Sequence, residues 1–169
     1  GRAIAVLGTR QVRDLTLGLS AVRAFSGIPN DLVSMASFWH HSVLCAVAAR
    51  ALATECPRGR PDSSFVAGLL HDIGQLVLFA KAPAESRRAL LMTIDEPNEP
   101  DLHVCEREIL GFDHARVGGA LARRWRLPPS LVECIEFHHD PDRAESHPLD
   151  VAIVHIANTA AVLAEIDSD

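Results

Sequence analysis

The stretch Phe65-Val66-Ala67-Gly68-Leu69-Leu70-His71-Asp72-Ile73-Gly74-Gln75-Leu76-Val77-Leu78-Phe79 decides how this chain is read. Its apolar residues, from Phe65 and Val66 through Leu69, Leu70 and Ile73 to Phe79, cover most helical faces. A helix hydrophobic all round belongs at the centre of its domain. The pattern predicts one helix from Phe65 to about Ala80, capped by Ser63 or Ser64 and broken at Pro83. In its middle stands His71-Asp72. Desolvating a carboxylate costs several kcal/mol unless it is paired or coordinates a metal. Asp72 therefore needs a partner.

Outward from this segment nearly everything reads as helix. Thr9 caps a first helix with apolar positions Val12, Leu15, Leu19, Val22 and Phe25, ended by Gly27 and Pro29. Asn30 or Asp31 starts a second, through Trp39, Val43, Val47 and Leu52, which stops before Pro57; Arg58–Asp62 is a loop. After Pro83 come helices over Ala84–Asp95, Asp101–Leu110, His114–Arg126, Pro129–His139 and Leu149–Glu165, with a loop at Pro97–Pro100. No alternating strand, repeat or low-complexity segment stands out. The expectation is a compact all-α fold, with residues 1–169 forming a single domain.

The 169 residues bury enough surface to fold without disulfides or a structural metal. Hydrophobic residues make up 48% and charged residues 22%, an ordinary globular balance. A net charge of −6 with histidine neutral speaks against a broad nucleic-acid surface, which needs clustered Lys and Arg. The short cluster Arg123-Arg124-Trp125-Arg126 is the one feature pointing the other way, so nucleic acid is not an expected partner. Cys45, Cys56, Cys105 and Cys134 form no C-x-x-C pair and read as reduced thiols of a cytoplasmic protein. No uninterrupted apolar run reaches the roughly 18 residues of a membrane span, and the start Ala3–Leu7 lacks the build of a signal peptide. No membrane partner is expected.

Nine histidines are present, and their grouping matters more than their number. His41, His71, Asp72, His114, His138 and His139 fall on four separate predicted helices. One reading has Asp72 accepting hydrogen bonds from a buried histidine and helix-end amides. The other has these side chains converging on a metal from facing helices of a bundle. Imidazole and carboxylate together suit Fe, Mn or Zn. Neighbours on a helix point about 100° apart, so the pairs His71-Asp72 and His138-His139 share one ion only by curling toward it, or divide between two. His155 lies three residues before Asn158 on the same face and is expected to orient a ligand, or to be a hydrogen-bonded core histidine. His40, His103 and His147 read as lying outside the site.

Several stretches, in order along the chain, resemble the HDOD domain, the HD-related output domain of bacterial signalling proteins. Ala3-Ile4-Ala5-Val6-Leu7-Gly8 is similar to its AI-x-x-LG element, and Phe38-Trp39-His40-His41-Ser42 to FW-x-HS. Phe65 to Gly74 is similar to F-x-x-GLLHDIG. Gly111 to Gly118 and Trp125-Arg126-Leu127-Pro128 resemble G-x-x-HA-x-VG and W-x-LP. Ile135 to Pro141 and His155-Ile156-Ala157-Asn158 resemble I-x-x-HH-x-P and H-x-AN. The resemblance implies an HD-superfamily-like helical scaffold, with a further helical portion ahead of Ala3 that this chain is expected to lack. It also places His41, His71, Asp72, His114, His138 and His139 on the ligand positions of the related HD-GYP phosphodiesterases.

The departures bear on activity. Active HD phosphohydrolases carry a last metal-binding Asp where this chain has Asn158, and an amide oxygen is a poorer ligand that cannot act as an anionic base. Gln75 stands where HD-GYP proteins have Lys. After His139 the chain runs Asp140-Pro141-Asp142-Arg143 with no GYP, and Tyr is absent throughout. The resemblance therefore implies a signalling output or interaction module without hydrolase activity, working with other signalling proteins or domains. The alternative is a metal-dependent phosphohydrolase acting on a phosphodiester such as a cyclic dinucleotide. In it the six ligand candidates hold ions, and Arg116, or Arg123 and Arg124, contact phosphate of a nucleotide ligand.

Overall fold

The computed structural model describes residues 33–95 and 100–166, and they form an all-α fold with no strand among them. In chain order the elements are α1 (Met35–Glu55), α2 (Pro61–Leu70), α3 (Ile73–Lys81), α4 (Pro83–Asp95), α5 (Leu102–Leu110), α6 (His114–Arg124), α7 (Pro129–Phe137) and α8 (Pro148–Ile166), with a 3-10 turn at Pro141–Arg143 before α8. The helix expected from Thr9 and the Ala3–Gly8 element lie outside the described residues.

α1 starts later than Asn30 or Asp31: Ser34 is its cap and accepts from the Ser37 amide at 3.3 Å. Its buried face, Phe38, Ser42, Cys45, Ala46, Ala49 and Ala53, follows the three-and-four spacing of one helical stripe. The residues are mostly small, so two helices approach closely. Cys45, Ala49 and Ala53 meet Ile153, Ala157 and Ala161 of α8. On the α2 side, a Cβ on Gly68 would lie 2.9 Å from Ala46 Cα.

The helix expected over Phe65–Ala80 is in fact two. α2 begins at Pro61, its fixed φ suited to a first turn, so Ser64 is a buried helical residue and not a cap. The helix stops at Leu70, and α3 resumes at Ile73 with Asp72 as its N-cap residue at φ −95°, ψ 11°. His71-Asp72 occupies the junction. Continuous hydrophobicity hides such a break, because both halves are core: Val66, Leu70, Ile73, Leu76 and Phe79 join Leu131, Ile135, Val151 and Val154 in the main cluster. Each such buried large side chain contributes about 1.5–3 kcal/mol. The junction sends α3 against α6, where an added Cβ on Gly74 would meet the His114 carbonyl oxygen at 1.9 Å.

α4 and α5 pair with each other. Gly111, at φ 78°, closes α5 in the left-handed conformation that glycine adopts without strain. Asp113 caps α6 by accepting from the Arg116 amide at 2.8 Å. α6 ends at Arg124, two residues earlier than expected, and α7 at Phe137, leaving His138 and His139 just past its end. By length and composition alone, Pro61–Lys81 and Pro148–Ile166 are each apolar enough to cross a membrane. The first is the α2–α3 core pair, with 67% of its apolar window buried in the fold; the second has 28%. Among the described residues Cys45, Cys56, Cys105 and Cys134 form no disulfide.

Candidate metal centre

His71 and His138 are positioned by the same local device. Each follows the last residue of a helix, and its Nδ1 donates to the carbonyl three residues back: His71 to Gly68 at 2.7 Å, His138 to Ile135 at 2.9 Å. His114, at the start of α6, donates from Nδ1 to Glu106 of α5 at 2.6 Å, and the same carboxylate oxygen accepts the His114 amide at 2.8 Å. With each Nδ1 committed, each Nε2 faces Asp72. The distances are 3.2 Å from His71, 3.2 Å from His114 and 3.3 Å from His138. His139 Nε2 lies 3.0 Å from His114 Nε2. His41 of α1 completes the ring, with Nε2 3.8 Å from Asp72 Oδ2.

All six ligand candidates from the sequence thus converge. They form two groups that share Asp72: Asp72, His114, His138 and His139; and His41, His71 and Asp72. Within each group the ligand atoms lie within 4.8 Å of one another. A shared carboxylate has two oxygens and can serve both groups.

The arrangement asks for positive charge. His71 Nε2, His138 Nε2 and Asp72 Oδ1 are buried and make no hydrogen bond. A neutral imidazole whose Nδ1 donates to a carbonyl presents a lone pair at Nε2, here aimed at carboxylate lone pairs. Protons relieve this only in part. Burial pulls His71 down, but the Asp72 carboxylate outweighs it and holds the ring well above the usual histidine range. Burial likewise opposes His114, yet Asp72 and Glu106 push it up to about 10. Asp72 is held well below the carboxylate range against its burial, by His71, His114 and His138. Burial and the neighbouring His71 and His114 bring His138 down to about 4, and burial with the crowd of imidazoles pushes His139 lower still. Five imidazoles cannot all be protonated around one carboxylate. A metal cation would serve them together, and the neutral-imidazole and carboxylate donors fit Fe, Mn or Zn.

Asn158 of α8 stands at the open side with Oδ1 3.0 Å from His41 Nε2, while His41 Nδ1 faces Glu165 Oε2 at 3.0 Å. His155 donates from Nδ1 to the His138 carbonyl at 2.7 Å, so it touches the backbone of one ligand candidate and not Asn158. Glu106, Glu165 and His103 were not singled out from the sequence. His103, read as outside the site, lies stacked on His139 and lines the cleft. His40 is exposed, and His147 sits beside Glu133 away from the cleft.

The centre opens to a cleft of about 450 Å³ lined by Phe38, Gln75, Asp101, His103, Thr159 and Val162 beside the site residues. Among the described residues that line it there is no Lys or Arg. Arg123 is engaged by Glu136 through both guanidinium nitrogens, and Arg116 lines a separate hollow with Arg107 and Arg143. Trp125 packs against the main core cluster.

An all-helical bundle with an HD dipeptide at a helix junction and histidines closing on it defines an HD-type domain. The chain belongs to the HDOD domain family, whose profile matches residues 1–141. An uncharacterized protein of Treponema pallidum (strain Nichols) is 28% identical over 158 residues, 92% of this chain and 30% of that protein. The crystal structure of a candidate phosphohydrolase from Shewanella amazonensis SB2B aligns with a TM-score of 0.81 at 28% identity, covering 99% of this chain and 59% of that one. A candidate signal transduction protein from Marinobacter aquaeolei VT8 aligns with a TM-score of 0.72 at 25% identity, covering 89% and 34%. The chain therefore spans less than two thirds of each of these proteins.

Proposed function

We propose that this chain is a cytoplasmic bacterial signalling output module whose HD-type pocket holds a metal ion for structure or ligand sensing and does not turn over a phosphodiester. The observation that carries this reading is Asn158. An amide oxygen, engaged with His41 Nε2 at 3.0 Å, stands where a hydrolase needs a carboxylate. The His41 group then has Asp72 as its one anionic member, already shared with the other group. The cleft adds no Lys or Arg among its described residues to receive a phosphate. The similarity to the Marinobacter protein supports a signalling role, with other signalling proteins or domains as partners.

The second reading, a metal-dependent phosphohydrolase of a phosphodiester such as a cyclic dinucleotide, draws on the convergence of five imidazoles and a carboxylate. Bound ions would lower the pKa of a water and offset phosphate charge. His71, Asp72, His114, His138 and His139 would hold them. The test is turnover of bis(4-nitrophenyl) phosphate and cyclic di-GMP by protein loaded with Mn²⁺, Fe²⁺ or Zn²⁺. The expected rate equals that of metal alone. Turnover that disappears in the His71→Ala/Asp72→Ala variant would establish the second reading instead.

A further inference from the structure

Four of the five imidazoles around Asp72 are held from behind by a hydrogen bond, from Nδ1 of His71 to Gly68, of His138 to Ile135, of His114 to Glu106 and of His41 to Glu165. Among the described residues no such bond is found for His139, whose one hydrogen-bond contact is its Nε2 on His114. His139 also lies beyond the end of α7, so no helix fixes its ring. What lies behind it is a ring: His103 stacks face to face on His139, centroids 3.9 Å apart and planes within 14°. His138 closes the other side at 4.0 Å.

The two halves of this stack are clamped together. Arg107, one turn after His103 on α5, donates to Asp140, the residue after His139, at 2.6 Å, and to Asp113 at 2.5 Å. The turn carrying His139 is thereby fastened to the helix carrying His103. We propose that His103 is a positioning residue of the metal centre: its ring is the plate that holds His139 with Nε2 turned toward His114 and Asp72, doing by stacking what an outer hydrogen bond does for the other four imidazoles. This rests on the metal-centre reading above. An outer partner of a metal-binding histidine typically changes affinity by about 10–100-fold, and parallel aromatic stacking is itself favourable.

The test is Co²⁺ titration of the full chain, read by affinity and by the visible d–d spectrum, for wild type, His103→Ala, His103→Phe and His71→Ala/Asp72→Ala. Alanine is expected to weaken Co²⁺ binding about tenfold or more and to alter the spectrum as a nitrogen ligand loosens. Phenylalanine, which keeps the stacked ring and carries no ligand atom, is expected to restore both to near wild type. Its ring also keeps the test open should alanine loosen α5. Wild-type affinity and spectrum in His103→Ala would overturn the proposal. So would a phenylalanine variant as impaired as alanine, since His103 would then act through its nitrogen. Failure of the wild type itself to take up Co²⁺ would instead remove the metal centre on which the proposal stands.

Discussion

At the scale of single residues, one amide decides more than any other group. Asn158 presents a neutral oxygen to His41 where a carboxylate would bring a second negative charge to the cluster. Asn158→Asp is expected to raise affinity for Mn²⁺ on the order of tenfold and to add a second equivalent, measured by calorimetry and metal content. An unchanged stoichiometry and affinity would mean that position 158 does not face the ions. His71-Asp72 stood out in the sequence because histidine and aspartate are rare inside a continuous apolar stretch, and the pair interrupts one. The cluster's supports did not. Glu106 holds His114 from eight residues away and Glu165 reaches His41 across 124 residues. A glutamate on a short amphipathic helix looks like solvent-facing charge until the tertiary contact is known. His103 was missed for the same reason: its partner is a ring on another segment.

At the scale of elements, small residues set the distances. Gly74 allows α3 to touch the first turn of α6, where any Cβ would overlap the His114 carbonyl oxygen. Gly74→Ala is expected to destabilise by about 2–3 kcal/mol, because backbone rather than a flexible side chain must move. It should also weaken metal binding, since His114 moves with that carbonyl. Chemical denaturation of the variant checks the first effect, and a loss under about 0.5 kcal/mol would contradict this packing.

The turn before α8 gives a pH-dependent case. Glu133 of α7 accepts from the Ser146 amide at 3.3 Å and the His147 amide at 2.9 Å. Its burial works to raise it, but the amide and ring of His147 win and hold it below the usual carboxylate range. A depressed folded-state pKa means the unfolded chain takes up the proton first as pH falls. The contribution is thus present above the unfolded value and is lost as pH drops through the folded one. As pH falls through and below the usual carboxylate range, wild type should lose more stability than Glu133→Gln. Parallel losses would show that this contact does not contribute. Helix existence was legible from periodicity, whereas the break at His71-Asp72 was not, because hydrophobic composition runs through it without interruption.

At the scale of the molecule, the all-α class followed from the absence of alternating patterns, and the all-round hydrophobicity around His71-Asp72 pointed to the centre of the fold before any distance was known. What pattern alone left open was whether polar groups in that centre satisfy one another. They do so only in part: His71 Nε2 and His138 Nε2 stand 3.2 and 3.3 Å from the Asp72 carboxylate, yet neither they nor Asp72 Oδ1 reach hydrogen-bond geometry. Leaving such groups unpartnered costs about 1–3 kcal/mol each, a cost that a bound cation would offset. The most direct measurement is elemental analysis of protein purified without oxygen, beside the His71→Ala/Asp72→Ala variant. The account predicts about one equivalent of Fe, Mn or Zn in the wild type, on the four-residue group with its own Asp72 oxygen, and none in the variant. A wild type as free of metal as the variant would contradict it, leaving the histidines as polar scaffold in an interaction module.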